Sequence, residues 1–426
     1  MAELICKMPE EMTLQFLSRL PPKSLMRFKC IHKSWYALIN NPKFIDKHLH
    51  LYNKDSYTCF LLKRSVVART QSIKEEILFS FLYVPNDNDD EDSHPHCVVE
   101  DIYFPTAMGL KTKGHNIELP GSYGGETIYI LGHCDGIICL VYHSGGLVFY
   151  NPSIREFKII PPSCLTESFS CVGGFGYDPK CKDYKVVNIV PSGEDSYDHN
   201  QRLVIYPPRA EVYTLSTDSW RQIKIDYLET ETTSFWPDIY QMCYKGVFYW
   251  LGHEQDKEYL CYYDRLSSPS IRDVILLYDT GEEVFRTRLL PDSFKDLGLH
   301  ALSMSLTMWN GSIALFGFSY WGPDIESFKI WMMDDFGSWT KHLTYETIMG
   351  IYLSLVLWRS DDVLMVANDG RIVSYSLSRD RVKYFPIQGV WGTYQAFVCV
   401  NSNSIVSVKG GNKVESRDIQ TSNVLL

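Results

Sequence analysis

Two histidines and a thiol within one short stretch, "SHPHC" from Ser93 to Cys97, are the ligand types of a zinc site. No second ligand pair stands at zinc spacing from them, and they follow the acidic run "NDNDDED". A solvated loop is therefore expected there. The chain's cysteines, twelve in all, stand singly with no CxxC pair, so neither a zinc knuckle nor a disulfide framework is expected. "GGFGYD", Gly173 to Asp178, is glycine-rich but runs into strand-like sequence, not the helix start that cradles phosphate. The sequence has no GxSxG, no HExxH, no P-loop and no GxGxxG. A non-catalytic protein without metal or cofactor is expected, and a catalytic or glycan-binding β protein is the alternative from another class.

Composition narrows the field further. With 45% hydrophobic and 22% charged residues the chain suits a soluble globular fold. No apolar run approaches the roughly 18 residues of a membrane span. The N-terminus lacks a secretory pattern, so Asn310 in "NGS" is not expected to be glycosylated and a cytoplasmic or nuclear location is expected. Formal net charge is −10, yet residues 1–50 hold eight Lys/Arg against four Asp/Glu. An acidic body argues against non-specific nucleic-acid binding and suits a basic protein partner.

The elements that would position any site fall into two regions with different periods. Residues 1–50 carry helical spacing. Met12, Phe16, Leu17 and Leu20 form one expected apolar stripe, with Thr13, Gln15, Ser18 and Arg19 facing away. Pro9 suits the helix entrance and Pro21-Pro22 end it. Leu25 and Phe28 mark a second helix, and Ile31, Trp35, Leu38 and Ile39 a third, which Asn41-Pro42 close. "PKFIDKHL" adds a short fourth piece. So few short helices cannot bury all their own apolar faces, so the body of the protein or a partner is expected to cover the remainder.

From about residue 56 the period is two and the chain repeats itself. "YNPSIREF" from Tyr150, "YTLSTDSW" from Tyr213, "YDTGEEVF" from Tyr278, "MMDDFGSW" from Met332 and "YSLSRDRV" from Tyr375 share one design. A large apolar residue enters a polar turn, and another returns seven positions on, as in a β-hairpin tip. Strand starts precede them: "CDGIICL", "KDYKVVNIV", "KGVFYWL", "NGSIALFG" and "SDDVLMVA". Repeats of this size built from strands predict a β-propeller, with an irregular β-sandwich as the weaker alternative. The strands of residues 57–110 and the tail "QAFVCVNSNSIVSV" would supply a further blade joining the two ends, giving six.

Residues 8–49, "MPEEMTLQFLSRLPPKSLMRFKCIHKSWYALINNPKF" onward, resemble an F-box, with Met8 where that family usually has leucine. "NPSIREFKIIPPSCL", "GFGYDPKCKDYKVVNIV", "AEVYTLSTDSWRQIKID" and "IWMMDD…SWTKHLT" resemble the F-box-associated β domain of plant F-box proteins, most of all the S-locus F-box group. The resemblance implies an F-box over 1–50 and a substrate-recognition propeller over 51–426. It also implies a substrate receptor of a cullin–RING ubiquitin ligase, docked through an SKP-type adaptor. For the S-locus group the substrates are S-RNases, basic pistil ribonucleases, met in the pollen tube cytosol; a different plant target is the alternative. Expected adaptor contacts are Met8, Pro9, Leu17, Leu20, Pro21, Leu25, Ile31 and Trp35, the last shared with the module's own core. Expected substrate contacts lie in three polar insertions: Asp87, Asp89, Asp90, Glu91 and Asp92 in residues 85–96; Glu194, Asp195 and Asp198 in residues 191–202; and Glu229 and Glu231 in residues 227–238. Their acidity would steer a basic partner.

Overall fold

The computed structural model describes residues 9–52, 57–69, 73–86, 97–102, 104, 128–142, 146–165, 173–190, 193–197, 203–206, 208–225, 233–256, 272–291, 304–321, 324–334, 337–359, 361–389, 395–399, 403–408 and 412–413. Four helices come first: α1 (Glu10–Leu17), α2 (Pro22–Phe28), α3 (Lys33–Ile39) and α4 (Pro42–Tyr52). Proline pre-sets the first helical turn of α2 and α4, where a missing N–H costs nothing. The side chains of His32 and Asn41 accept from Ser34 N (3.2 Å) and Lys43 N (2.9 Å) to cap α3 and α4. The fourth piece is longer than its sequence suggested, running to Tyr52. Among the described residues no helix is long and apolar enough to cross a membrane.

Strands then build the six-bladed β-propeller anticipated from the repeats. The first blade contains β1 (Tyr57–Arg69), β2 (Ile73–Pro85) and β3 (Val98–Ile102). The second contains β4 (Ile128–Cys134), β5 (Ile137–Tyr142), β6 (Leu147–Asn151) and β7 (Glu156–Ile159). The third contains β8 (Gly174–Asp178), β9 (Asp183–Val190), β12 (Arg209–Thr214) and β13 (Ser219–Ile223), with the small hairpin β10 (Gly193–Tyr197) and β11 (Leu203–Tyr206) inserted. The fourth has β14 (Thr233–Tyr244), β15 (Val247–Asp256), β16 (Arg272–Asp279) and β17 (Val284–Leu289). The fifth has β18 (Met304–Trp309), β19 (Ser312–Trp321), β20 (Asp324–Met333) and β21 (Trp339–Ile348). The sixth has β22 (Ile351–Trp358), β23 (Asp362–Ala367), β24 (Arg371–Ser376) and β25 (Arg381–Gln388).

The tail closes the ring. Strand β26 (Gln395–Cys399) pairs with β1, Cys59 opposite Cys399 and Lys63 opposite Gln395, and becomes the innermost strand of the first blade. The inner strands β26, β4, β8, β14, β18 and β22 then contact one another in a closed circle. Each neighbouring pair of blades shares one apolar core, and the first–sixth pair does so through Phe60, Leu62, Trp358 and Leu364. Closure removes the exposed inner edges that an open sheet would present.

Local chemistry explains the hairpins. Asp135-Gly136, Lys245-Gly246 and Asn310-Gly311 all adopt positive φ in succession, the two-residue turn whose twist matches its flanking strands. In the five seven-spaced windows the sixth residue is left-handed: Arg155, Asp218, Glu283, Gly337 and Asp380. Tyr150 pairs with Phe157, Tyr213 with Trp220, Tyr278 with Phe285 and Tyr375 with Val382, so first and last window residues face each other. The fourth window slips by one: Trp339 pairs with Met333 instead of Met332. Middle strands such as β6 are buried throughout, whereas the outer β13 and β17 are mostly exposed. These outer edges carry Arg221, Arg286 and Arg288, charges that discourage pairing with another chain.

Candidate functional site: a docking module and the opposite ring face

The two ends of the propeller differ. The turns from first to second strand and from third to fourth strand lie at one end of a blade, and the other connections at the opposite end. At the first end the described turns are tight, among them 135–136, 152–155, 215–218, 245–246, 280–283, 310–311 and 377–380. The strands that flank the long stretches 103–127, 191–208, 224–232, 257–271 and 290–303 in sequence meet them at the other end. The helical module sits at the tight-turn end. Ile154, from the turn of the second blade, packs against its core, and Ile45 and Leu49 of α4 pack into the core between the second and third blades.

Inside the module, Leu17, Leu25, Trp35, Ile39 and Phe44 are buried together with Ile405 from the tail. Phe28 meets Trp35 edge to face at 5.3 Å between centroids. Leu17 and Leu25, expected as adaptor contacts, are 0% exposed and belong to the interior. Trp35 is buried as well, at 8%. Ile405 of the tail and Ile154 of the second blade pack into this core and add to what the helices bury among themselves. Pro9, Pro21 and Ile31 do lie at the surface and Leu20 is half-buried, while Met8 lies outside the described residues.

Helix α1 is turned from the orientation its apolar stripe suggested. Thr13 and Ser18 are buried, and Met12 and Phe16 are more than half exposed. Burial of the two hydroxyls is tolerated because each donates locally, Thr13 Oγ1 to Pro9 O (3.3 Å) and Ser18 Oγ to Gln15 O (3.1 Å). Met12 and Phe16, four residues apart, share one flank of the helix. With Ile31 and Tyr36 they are the exposed large apolar side chains among the module's described residues. The sequence pattern set Met12 and Phe16 on the apolar stripe with Leu17 and Leu20 but did not single them out as adaptor contacts. Arg19, Lys23, Arg27 and Lys33 are exposed, so the module's basic charge is a solvent face.

His48 ties the module together. Its Nε2 lies 2.9 Å from the carbonyl of Leu20, across the break between α1 and α2. Burial pushes this imidazole below its ordinary 6.5, and the hydrogen bond to Leu20 only partly offsets that. A folded value below the unfolded one means that the unfolded chain binds more protons in between. The contribution is therefore complete above 6.5 and is lost as pH falls below it. Protection of the helix amides, measured relative to the intrinsic exchange rate at each pH, should fall from about pH 7 to about pH 5, and His48→Gln should flatten that dependence. An unchanged slope in the variant would remove His48 as its source.

The acidic insertions divide between the two ends. Strands β2 and β3, between which residues 87–96 fall in sequence, meet that gap at the end that holds the helical module, because β26 fixes the phase of the first blade. Asp87, Asp89, Asp90, Glu91 and Asp92 lie outside the described residues, as do Asp198, Glu229 and Glu231. At the opposite end β9 leads into the second insertion, of which β10 and β11 are described, and β13 leads into the third. Glu194 and Asp195 stand on β10, opposite Ile205 and Val204 of β11. The third insertion is shorter than its composition suggested, since β14 begins at Thr233 and absorbs Pro237 at a register shift.

No catalytic constellation emerges among the described residues, and no group of three His, Cys, Asp or Glu there could hold a metal. His94 and His96 lie outside them. The buried thiols are held protonated: burial pushes Cys134 and Cys139 well up, and Cys243 up to about 12. What this geometry offers is two surfaces for macromolecules, at opposite ends of one ring.

Comparison with known proteins agrees with that description. A family model described as "F-box associated beta propeller domain" matches residues 106–408, and an F-box domain model matches residues 5–47. The Arabidopsis thaliana "F-box protein CPR1" is 25% identical, covering 97% of this chain and 92% of its own. A putative F-box protein of the same plant is 27% identical, covering 64% of this chain and 62% of its own. Among solved structures, the SapL1 lectin bound to alpha methyl fucoside is 10% identical and covers 78% of this chain and 97% of its own, with a TM-score of 0.34. The oligogalacturonate lyase of Vibrio parahaemolyticus is 13% identical over 78% of this chain and 79% of its own, also at 0.34. At such scores these two structures carry no argument about function.

Proposed function

This chain belongs to the F-box proteins that carry an F-box associated beta propeller domain, and from that membership we propose that it is the substrate receptor of a cullin-based ubiquitin ligase. The helical module, residues 1–50, docks an SKP-type adaptor and through it the cullin and RING subunits. The propeller, residues 51–426, holds a protein substrate at its loop-bearing end. The chain itself performs no bond chemistry.

The observation that carries this reading is the division of surfaces. Exposed Met12, Phe16 and Ile31 lie on a module fixed to the tight-turn end, while the long connections gather at the far end. Loops carried on a rigid scaffold are the usual place for binding residues. Adaptor and substrate then bind without competing for surface.

For the substrate we propose an S-RNase, a basic ribonuclease, in pollen tube cytosol. The resemblance to the S-locus group supports this, as do Glu194, Asp195, Asp198, Glu229 and Glu231 in connections at the loop-bearing end. Asp87, Asp89, Asp90, Glu91 and Asp92 add to the acidity that would attract such a partner. Affinity capture from pollen extract mixed with pistil extract, with the proteasome blocked, tests both levels. Recovery of adaptor, cullin and S-RNase is expected. Adaptor and cullin without S-RNase would keep the receptor role and overturn the substrate, in favour of another plant target. Loss of the adaptor would overturn the receptor role.

A further inference from the structure

The tail does more than close the ring. After β26 the chain returns to the second blade, and residues 403–408 pass between that blade and the helical module. Alternate side chains serve different cores. Ile405, 1% exposed, enters the core of the helices. Val406 and Val408 enter the core between the second and third blades.

The polar groups of this segment are tied to the second blade. The buried Asn151 donates from Nδ2 to the carbonyls of Ser404 (3.2 Å) and Val406 (2.9 Å), and its Oδ1 accepts from Ser153 N (3.0 Å). Ser404 N donates to Ser153 Oγ (3.4 Å), and Val408 N to the buried Glu156 carboxylate (2.8 Å). Beyond it, Asn412 and Lys413 pair with Phe157 and Glu156 at the outer edge of the blade.

We propose that this segment is a strap that makes adaptor docking conditional on a closed propeller. The module reaches its folded form only when the last-made part of the chain has come round the ring and placed Ile405 among Leu17, Leu25, Trp35 and Phe44. Asn151 and Ile405 are the positioning residues: neither needs to touch the adaptor, and both set the shape and bearing of the surface that does. A nascent or truncated chain that has not closed its ring therefore presents no ordered docking module.

This inference rests on the adaptor reading for its consequence, but the strap is tested separately. Full-length chains carrying Ile405→Ala or Asn151→Ala are compared with the wild type and with Ile405→Val. Amide exchange over residues 10–52 is followed together with binding of a purified SKP-type adaptor. In the Ala variants, exchange of the helices is expected to accelerate at least tenfold while the strands of the third to fifth blades keep wild-type protection. Adaptor affinity is expected to fall by at least tenfold, and Ile405→Val should restore both. Helix protection unchanged in both Ala variants would overturn the strap. So would loosened helices that bind adaptor at wild-type affinity. A wild-type chain that binds no adaptor at all would overturn the receptor role instead, while the exchange data still decide whether the tail orders the module.

Discussion

Replacing Phe16 and Ile31 together with aspartate is expected to abolish capture of an SKP-type adaptor while leaving the thermal midpoint of the chain within about 2 °C. Both side chains are more than half exposed in the free protein, so charge there meets water and costs the fold little. In a docked complex each would lose an apolar contact worth roughly 1.5–3 kcal/mol and bury a carboxylate in its place. A loss of at least about a hundredfold in affinity follows. Leu17→Ala and Leu25→Ala should behave in the opposite sense. Both residues are fully buried, so truncation removes about 2–5 kcal/mol from the module's packing and weakens docking only through its folding. Calorimetry beside adaptor titration separates the two classes. Should the aspartate pair bind like the wild type, the exposed flank of α1 is not the docking surface.

That contrast marks where the sequence was legible and where it was not. Helix limits and hairpins were written locally, in Pro21-Pro22, in Asp135-Gly136 and its counterparts, and in windows whose first and last residues pair. Such signals act within a few residues, so they survive without knowledge of the fold. The facing of α1 did not. An eight-residue helix with Met12, Thr13, Leu14, Phe16 and Leu17 has two plausible inner faces, and Ile405, from the far end of the chain, helps select one. The end of the ring at which β2 and β3 flank the acidic run was illegible for a related reason: it follows from the phase of the first blade, and that phase is set by β26. Residues 233–238, which hold Pro237, resembled a loop because a register shift in β14 accommodates what a regular strand would reject.

The second large effect concerns the platform beneath the module. Lys185 Nζ lies 2.7 Å from Asp178 Oδ2, with side-chain exposures of 7% and 0%. Asp178 also accepts from Lys180 N (2.8 Å) and Cys181 N (3.3 Å), shaping the turn from β8 to β9. Burial alone would raise this carboxyl. The Lys185 ammonium and the two backbone N–H groups prevail and hold it at about 2. The folded value lies below the ordinary 3.8, so the stabilisation is complete above that pH and is lost as pH falls toward 2. Removing one partner of a buried pair leaves the other uncompensated, and Asp178→Ala or Lys185→Met should each cost about 3–5 kcal/mol. Asp178→Ala should be the more damaging of the two, because the turn loses its acceptor as well. Converting both residues at once should recover only part of the loss, since a hydrophobic pair cannot restore the bonds to Lys180 N and Cys181 N. In Lys185→Met the carboxyl loses its cation, so acid unfolding should begin at a higher pH than in the wild type. Because neighbouring Tyr177 packs into the same core as Ile45 and Leu49 of α4, this damage should reach the docking module. Denaturant melts across pH, with helix exchange as a second readout, test the chain of effects. A Lys185→Met protein with wild-type stability and an unmoved acid limb would show that the pair contributes nothing to the platform.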